Sequence, residues 1–275
     1  MRLLESIPLF EFLASPAAAP FWPWLGFVVG LFTGSFANVC IHRLPVGRSV
    51  VRPRSSCPHC GALIPAWHNV PLASFLVLHG RCATCRAAIS WRYPAVELAN
   101  GVAYLGLIVL FGPTLRAAVL MVFVTALVVL SLIDLEHYLL PDVITLPGVV
   151  FGVLASFLPA WPVSPAESLA SAAAGYGVLA LVALTWRRLR GIEALGQGDW
   201  KMVAMLGAFL GWQAMLLTVL LATTGGTVVG VSLMVFYGQS SRARLPLGTF
   251  LGWAGIVVVF LGRPLLDWYQ GLFRV

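Results

Sequence analysis

Two groups of side chains in this sequence have the types and spacing to do chemistry. The first is a set of four cysteines, Cys57-Pro58-His59-Cys60 and, after 21 intervening residues, Cys82-Ala83-Thr84-Cys85. Each Cys-x-x-Cys turn can aim two sulfurs at one ion, so the two turns predict a closed tetrahedral zinc site with Cys57, Cys60, Cys82 and Cys85 as ligands. Four thiolates leave no open position for water, which makes that metal structural rather than catalytic. A metal-free dithiol pair is the alternative that the spacing leaves open. His59, between two ligands, reads as a surface residue of its knuckle. The knuckles lead into similar sequences, Ala62-Leu63-Ile64 with Trp67 and Ala87-Ala88-Ile89 with Trp91. This internal repeat predicts a short strand after each knuckle, packed beneath the metal that staples so small a core.

The second group is acidic: Glu97, Asp134, Glu136, Asp142 and Asp199, all set beside long apolar runs. Ionisable groups are costly at a membrane and mark function there by default. Asp134 ends one apolar run in Leu132-Ile133-Asp134-Leu135-Glu136-His137, and Asp199 begins another in Gly196-Gln197-Gly198-Asp199-Trp200-Lys201. Two carboxylates held close in a low-dielectric pocket retain one proton between them. The ionised member can take a proton from water attacking a peptide carbonyl while its protonated partner polarises that carbonyl. Neither a serine or cysteine nucleophile nor a catalytic metal is then needed. Gly196 and Gly198 permit close backbone approach beside Asp199. Taken singly, Asp199 could cap a helix and Asp134 could mark a lipid boundary.

The elements that must carry these groups are membrane helices. The chain has 275 residues, 60% hydrophobic and 10% charged, with a mean hydropathy of +0.92, which excludes an ordinary soluble protein. Its net charge of +7 would make a nucleic-acid partner worth weighing in a soluble chain, but here the position of the charges matters and no nucleic acid is expected. About eight apolar stretches read as spans, at 24–41, 95–111, 116–133, 143–159, 168–186, 201–221, 223–237 and 249–262, several of them shorter than the roughly 20 residues a bilayer requires. Residues 1–23 are not a convincing signal peptide, since Glu5, Pro8 and Glu11 interrupt them, and they read as an amphipathic lead-in. With eight spans, the segments at 42–94, 134–142, 187–201 and 238–248 share one face. That face carries Arg43, Arg48, Arg52, Arg54, Arg81, Arg86, Arg92, Arg187, Arg188, Arg190, Lys201, Arg242 and Arg244, against Arg2, Arg116, Arg263 and Arg274 on the other. The positive face is expected to be cytoplasmic, in keeping with reduced thiols.

These motifs, taken in order, resemble the bacterial type IV prepilin peptidases, a family of aspartic membrane proteases. The resemblance rests on Gly34-Ser35-Phe36-Ala37-Asn38-Val39-Cys40-Ile41-His42-Arg43-Leu44-Pro45, the paired knuckles, Arg92-Tyr93-Pro94-Ala95-Val96-Glu97, Asp134 with Pro141-Asp142, Gly196-Gln197-Gly198-Asp199 with Lys201, and Pro246-Leu247-Gly248-Thr249-Phe250-Leu251. Ala37, Cys40, His42 and Glu136 depart mildly from it. The resemblance implies removal of a short basic leader from type IV prepilins or type II secretion pseudopilins, after a glycine, at the cytoplasmic face of the inner membrane. Methylation of the new amino terminus from S-adenosylmethionine follows in many members. It also implies Asp134 and Asp199 as the catalytic pair, Gly196, Gly198 and Lys201 as the supporting loop, and the four cysteines as zinc ligands. A protease-only member, and a noncatalytic membrane scaffold or transporter with a zinc knuckle, are the rival readings.

Substrate or methyl-donor contacts are expected among His42, Arg43, Glu97, Asn100, Glu136 and Asp142. Glu97 and Asn100 share a helical face, and the acidic residues complement a basic leader. An internal bond for Glu97 and Asn100, a helix cap for Asp142 and a local field effect for Lys201 are their plainer readings. Gly26-x-x-x-Gly30-x-x-x-Gly34 and Gly207-x-x-x-Gly211 could pack helices within the chain, mediate self-association or dock a substrate helix. The expected organisation is a lead-in and first helix over 1–41, a four-cysteine zinc insertion over 42–94 and a helical protease core over 95–275, all-α and polytopic.

Overall fold

A computed structural model describes residues 19–191, 196–238 and 245–271. The expected amphipathic lead-in before residue 19, and the charges of Arg2, Arg242, Arg244 and Arg274, lie outside the described residues. The described chain is helical: α1 Phe21–Arg43, the short α2 Ala73–Val77, α3 Arg92–Phe111, α4 Leu115–His137, α5 Asp142–Ala155, α6 Pro165–Arg190, α7 Gln197–Tyr237 and α8 Leu247–Gly271. Six of these, α1, α3, α4, α6, α7 and α8, are long and apolar enough to cross a membrane, and α5 is a shorter apolar helix.

The eight apolar stretches seen in sequence fall on seven helices, six of them long enough to cross a membrane. The stretches at 201–221 and 223–237 do not part between them. They belong to α7, which is broken instead at Gly211, where φ is 76° and ψ is 173°. No other residue type adopts that conformation readily. The apolar pattern is uniform on both sides of the break, so hydropathy could not locate it.

The chain forms two compact units. The first comprises α1 as far as Cys40 together with Ser49–Thr125, and the second comprises Ile41–Arg48 with everything from Ala126 onward. In the first unit α1 and α3 lie against each other along a glycine seam. A Cβ added at Gly30 would sit 2.5 Å from the carbonyl oxygen of Asn100, and one at Gly34 would sit 2.7 Å from the Cα of Glu97. Gly26 faces Tyr104 and Ile108 in the same way. The Gly26-Gly30-Gly34 spacing therefore serves packing within the chain. Asn38 closes the seam by donating from Nδ2 to the carbonyl of Tyr93 at 3.0 Å. Deeper, Asn100 donates to the Val96 carbonyl and accepts the Thr125 hydroxyl at 2.7 Å, while Tyr104 shares a 2.9 Å hydrogen bond with that hydroxyl.

In the second unit α5, α6 and α8 all pack on α7. Gly148 and Gly152 of α5 face Met205 and Ala208, and a Cβ added at Gly207 would sit 2.7 Å from the Ser171 carbonyl oxygen of α6. The buried Ser168 hydroxyl donates to the Ala208 carbonyl at 2.7 Å, which fixes α6 against the part of α7 that precedes the break. Helix α6 is well delimited by sequence. Ser164 accepts the Glu167 amide at its start, and Gly191 in the left-handed region ends it behind Arg187, Arg188 and Arg190.

The seam makes a direct prediction. Replacing Gly30 by Ala should force α1 and α3 apart and destabilise the protein by about 1–3 kcal/mol, because the obstacle is backbone and cannot move aside. Gly177, with open space around its missing Cβ, should accept Ala without loss. Thermal unfolding of the two variants in detergent checks the difference.

Candidate active site

The α4 helix carries Asp134 in its last turn and stops soon after it. Tyr138 takes a positive φ of 53°, its amide bonds the Asp134 carbonyl at 2.9 Å, and the chain turns there toward α5. The turn brings Leu140 back into the unit, where it is 6% exposed. A Cβ at Gly198 would meet Leu140 at 2.8 Å, and one at Gly248 would meet Leu140 at 2.8 Å and Oδ2 of Asp134 at 2.9 Å. The turn after α4, the start of α7 and the start of α8 thus converge on one leucine, and they can do so because two of the three present glycine.

Both aspartates are buried at this convergence, Asp134 at 6% and Asp199 at 9% exposure. Asp199 lies within electrostatic reach of Asp134. Each is held by a backbone amide acting on one carboxylate oxygen. The Thr249 amide donates to Oδ2 of Asp134 at 2.8 Å, while the Thr249 hydroxyl donates to the Ser131 carbonyl at 2.9 Å and lies 3.4 Å from the same Oδ2. The Gly196 amide donates to Oδ2 of Asp199 at 3.1 Å, so Asp199 reaches back to cap the first turn of its own helix. Capping and pairing are compatible, since one carboxylate has two oxygens.

The first turn of α7 is clamped from two sides. Trp200 meets the edge of Tyr176 with ring centroids 5.9 Å apart. Lys201 donates to both oxygens of Asp142, at 2.7 and 2.8 Å. Asp142 therefore does not cap α5, whose N-cap is Pro141 without a side-chain bond. Its charge is answered by Lys201. Glu136 stays exposed at the end of α4, beside His137 at 4.0 Å. His42 is exposed and Arg43 half-buried at the end of α1. Glu97 and Asn100 are engaged inside the first unit: Asn100 in the network with Thr125, and Glu97 by accepting the Leu72 amide at 2.8 Å. Thr249, Gly248 and Leu140 were not singled out as site residues in the sequence. A hydroxyl residue in the first turn of a helix is ordinary, and only the fold shows what it faces.

The four cysteines form a separate cluster in the first unit. Their sulfurs all lie within 4.8 Å of one another, and those of Cys57 and Cys85 are 3.8 Å apart. Tetrahedral ligands at about 2.3 Å from an ion stand roughly 3.8 Å apart, so the set fits zinc. The knuckles match bond for bond. Cys57 and Cys82 donate their amides to the carbonyls of Ala62 and Ala87, Gly61 and Arg86 donate back to Cys57 and Cys82, and Ile64 and Ile89 donate to Ser55 and Gly80. Each expected strand reduces to a single bridge, Ser56 with Leu63 and Arg81 with Ala88. A knuckle this tight leaves room for one ladder pair only. The thiols are electrostatically unequal. Cys82 is pulled down to about 6, chiefly by the amides of Cys85 and Thr84. At Cys85 the Ala87 amide favours the thiolate, but desolvation and the neighbouring thiols outweigh it and push the group up to about 11.

Several known proteins match this chain. Residues 28–111 match the family model for the bacterial peptidase A24 N-terminal domain, and residues 121–231 match that of the type IV leader peptidase family. A relative from Burkholderia pseudomallei (strain K96243) named prepilin leader peptidase/N-methyltransferase is 37% identical over 279 residues, covering 92% of this chain and 90% of its own. The protein of that name from Pseudomonas aeruginosa is 35% identical, covering 96% and 98%. Its counterpart from Myxococcus xanthus is 41% identical over 214 residues, covering 78% and 64%. No solved structure matches the chain.

The two knuckles differ at the residue that closes them. Gly61 and Arg86 both lie in the left-handed region, at φ 72° and 60°, where a side chain costs about 1–2 kcal/mol. Arg86→Gly should therefore tighten the cluster and Gly61→Ala should loosen it, each by several-fold in cobalt(II) affinity followed by thiolate absorption bands.

Proposed function

The chain belongs to the type IV leader peptidase family, and on that footing we propose that it removes the leader from prepilins and methylates the new amino terminus. Asp134 and Asp199 carry the hydrolysis. The observation that supports this most directly is the convergence of two buried carboxylates, far apart in sequence, each anchored through one oxygen by a backbone amide.

The pair works holding one proton. The ionised carboxylate accepts a proton from water as the water oxygen bonds to the scissile carbonyl carbon, and the protonated carboxyl gives its proton to the carbonyl oxygen. The tetrahedral adduct then collapses. Its carbon–nitrogen bond breaks as one hydroxyl of the adduct returns its proton to the ionised carboxylate and the leaving nitrogen takes the proton of the other, which restores the pair's single proton. Fixing one oxygen of each aspartate matters because the water and the carbonyl must lie within about 3 Å of the two groups at once. Gly196, Gly198 and Gly248 keep side-chain bulk away from that position. Lys201 acts through Asp142, locking the start of α7 to the start of α5. The exposed Glu136 adds negative charge next to the pair, where a basic leader would enter.

The basic segments support a cytoplasmic position for this end of the helices in a bacterial inner membrane. The clients are type IV prepilins or type II secretion pseudopilins, cut after a glycine. The four-sulfur cluster holds zinc as a staple for the insertion. S-adenosylmethionine, when bound, supplies the methyl group. Of the residues weighed as its contacts, Glu97 and Asn100 are engaged in intrachain bonds, so they shape its surroundings through the fold, whereas His42 lies open.

Purified protein incubated with a prepilin tests the assignment. Asp134→Asn and Asp199→Asn should each lower leader removal at least about 100-fold while leaving the fold and zinc content intact. Wild-type cleavage by either variant would reject the pair, and no cleavage by the wild type would favour a noncatalytic scaffold. Thr249→Pro deletes the anchoring amide together with the hydroxyl, at a first-turn position where the helix does not need that amide, and should cost about ten-fold or more beyond Thr249→Ala, which removes the hydroxyl alone. Mass analysis of the new terminus separates a methylating enzyme from a protease-only one.

Metal analysis should find about one zinc per chain, and Cys57→Ser or Cys82→Ser should expose residues 42–94 to proteolysis. Binding displaces thiol protons. Zinc affinity should therefore fall on acidification, by about ten-fold per pH unit for each proton displaced.

A further inference from the structure

The segment 42–94 contains seven arginines and no Asp or Glu, yet its surface is not uniformly polar. Leu76 and Val77 of α2 are 70% and 73% exposed, and Trp67 and Trp91 are 73% and 75% exposed. These residues are neighbours. Ser74 of α2 donates to the Trp67 carbonyl at 3.1 Å, and the rings of Phe75 and Trp91 lie 4.7 Å apart. A cavity of about 470 Å³ opens between Phe75, Leu76 and Trp91, with His79 and Arg81 among the residues that line it.

Three contacts set the level of this patch along the membrane helices. Asn38 near the end of α1 bonds Tyr93 at the start of α3, so the segment leaves and re-enters the spans at one place. The Leu72 amide bonds Glu97, about 7 Å along the α3 axis from Arg92, so the residue before α2 lies beside the second turn of α3. Phe75 then lies level with Trp91, the N-cap of α3. An exposed apolar helix edge flanked by tryptophans at the mouth of two spans sits where headgroups meet acyl chains. Leu72 adopts φ 56° and ψ −49°, a backbone state rare for leucine, and the Glu97 bond holds it there.

We propose that the α2 edge, with Leu76, Val77, Trp67 and Trp91, rests in the interfacial zone of the bilayer, with Arg81 beside it engaging anionic phospholipid headgroups. The partner is a lipid surface of negative charge. An arginine-rich segment without a single acidic side chain is complementary to that surface, and the apolar edge would otherwise stand in water. The inference rests on α1 and α3 crossing the membrane and does not depend on the catalytic assignment.

The full-length protein is reconstituted in vesicles of phosphatidylglycerol or phosphatidylcholine with brominated acyl chains. Trp91 emission is taken as the difference between the wild type and Trp91→Phe, with zinc content as the control for an intact insertion. Bromolipid should quench at least half of that emission in phosphatidylglycerol, about two-fold more than in phosphatidylcholine, and Arg81→Gln should narrow the gap. Aqueous acrylamide should reach Trp91 in detergent far better than in vesicles. Equal quenching in the two lipids would overturn the anionic preference. Absence of bromolipid quenching would overturn the proposal, as would shielding from acrylamide that begins only when a prepilin is added, which would make the patch a substrate seat. Leader removal by the same vesicles is read separately, so either result can fail alone.

Discussion

A carboxylate buried in a membrane protein has to be held by donors, and the Thr249 amide on Asp134 meets that requirement across 115 residues of chain. The bond joins the last turn of α4 to the first turn of α8, where helical amides have no partner of their own. Much of the surrounding design follows from it. Gly248 must lack a side chain because a Cβ there would press on the carboxylate it helps to frame, and Leu140 fills the space that the glycines leave. Asp199 is secured by the same physics within a single helix turn, through Gly196. Two helix starts thus supply one amide each to hold the two carboxylates in place.

The insertion solves a different problem, that of stabilising about fifty residues with almost no core. Its two knuckles repeat one hydrogen-bond pattern at a constant offset, presenting two sulfurs from each side. The assembly is then tied to its own membrane helices by two polar contacts, Asn38 with Tyr93 and Glu97 with Leu72. Glu97 shows how a buried acid can be structural: its carboxylate receives an amide that a strained turn presents.

Much of this was legible in the sequence, for reasons particular to each residue. Asp134 and Asp199 stood out because charge is rare in apolar runs, and the cysteines because their spacing has few other uses. The shared face of Glu97 and Asn100 followed from helical period, but their partners Leu72 and Thr125 lie some 25 residues away and could not be read from it. The clasp between Lys201 and Asp142 spans 59 residues and was equally hidden, so Asp142 kept a free negative charge in the sequence reading that the fold neutralises. Thr249 appears only inside a motif, with no sign of what it holds, because it works through its backbone amide, which every residue but proline has. The break at Gly211 was invisible because one glycine among 27 carries no mark of its conformation.

That break has a consequence for the solvent around the enzyme. Helix α5 has 14 residues, and the stretch of α7 from Gln197 to Leu210 is equally short, and the two lie side by side. Each measures about 21 Å, against roughly 30 Å of hydrocarbon. Two adjacent elements each about 9 Å short cannot keep both of their ends under hydrocarbon, so the end that carries Asp142 and Asp199 in its first turns can stand at the water. A hydrolase immersed in oil needs a supply of water, and a helix pair too short for the bilayer admits it at that end.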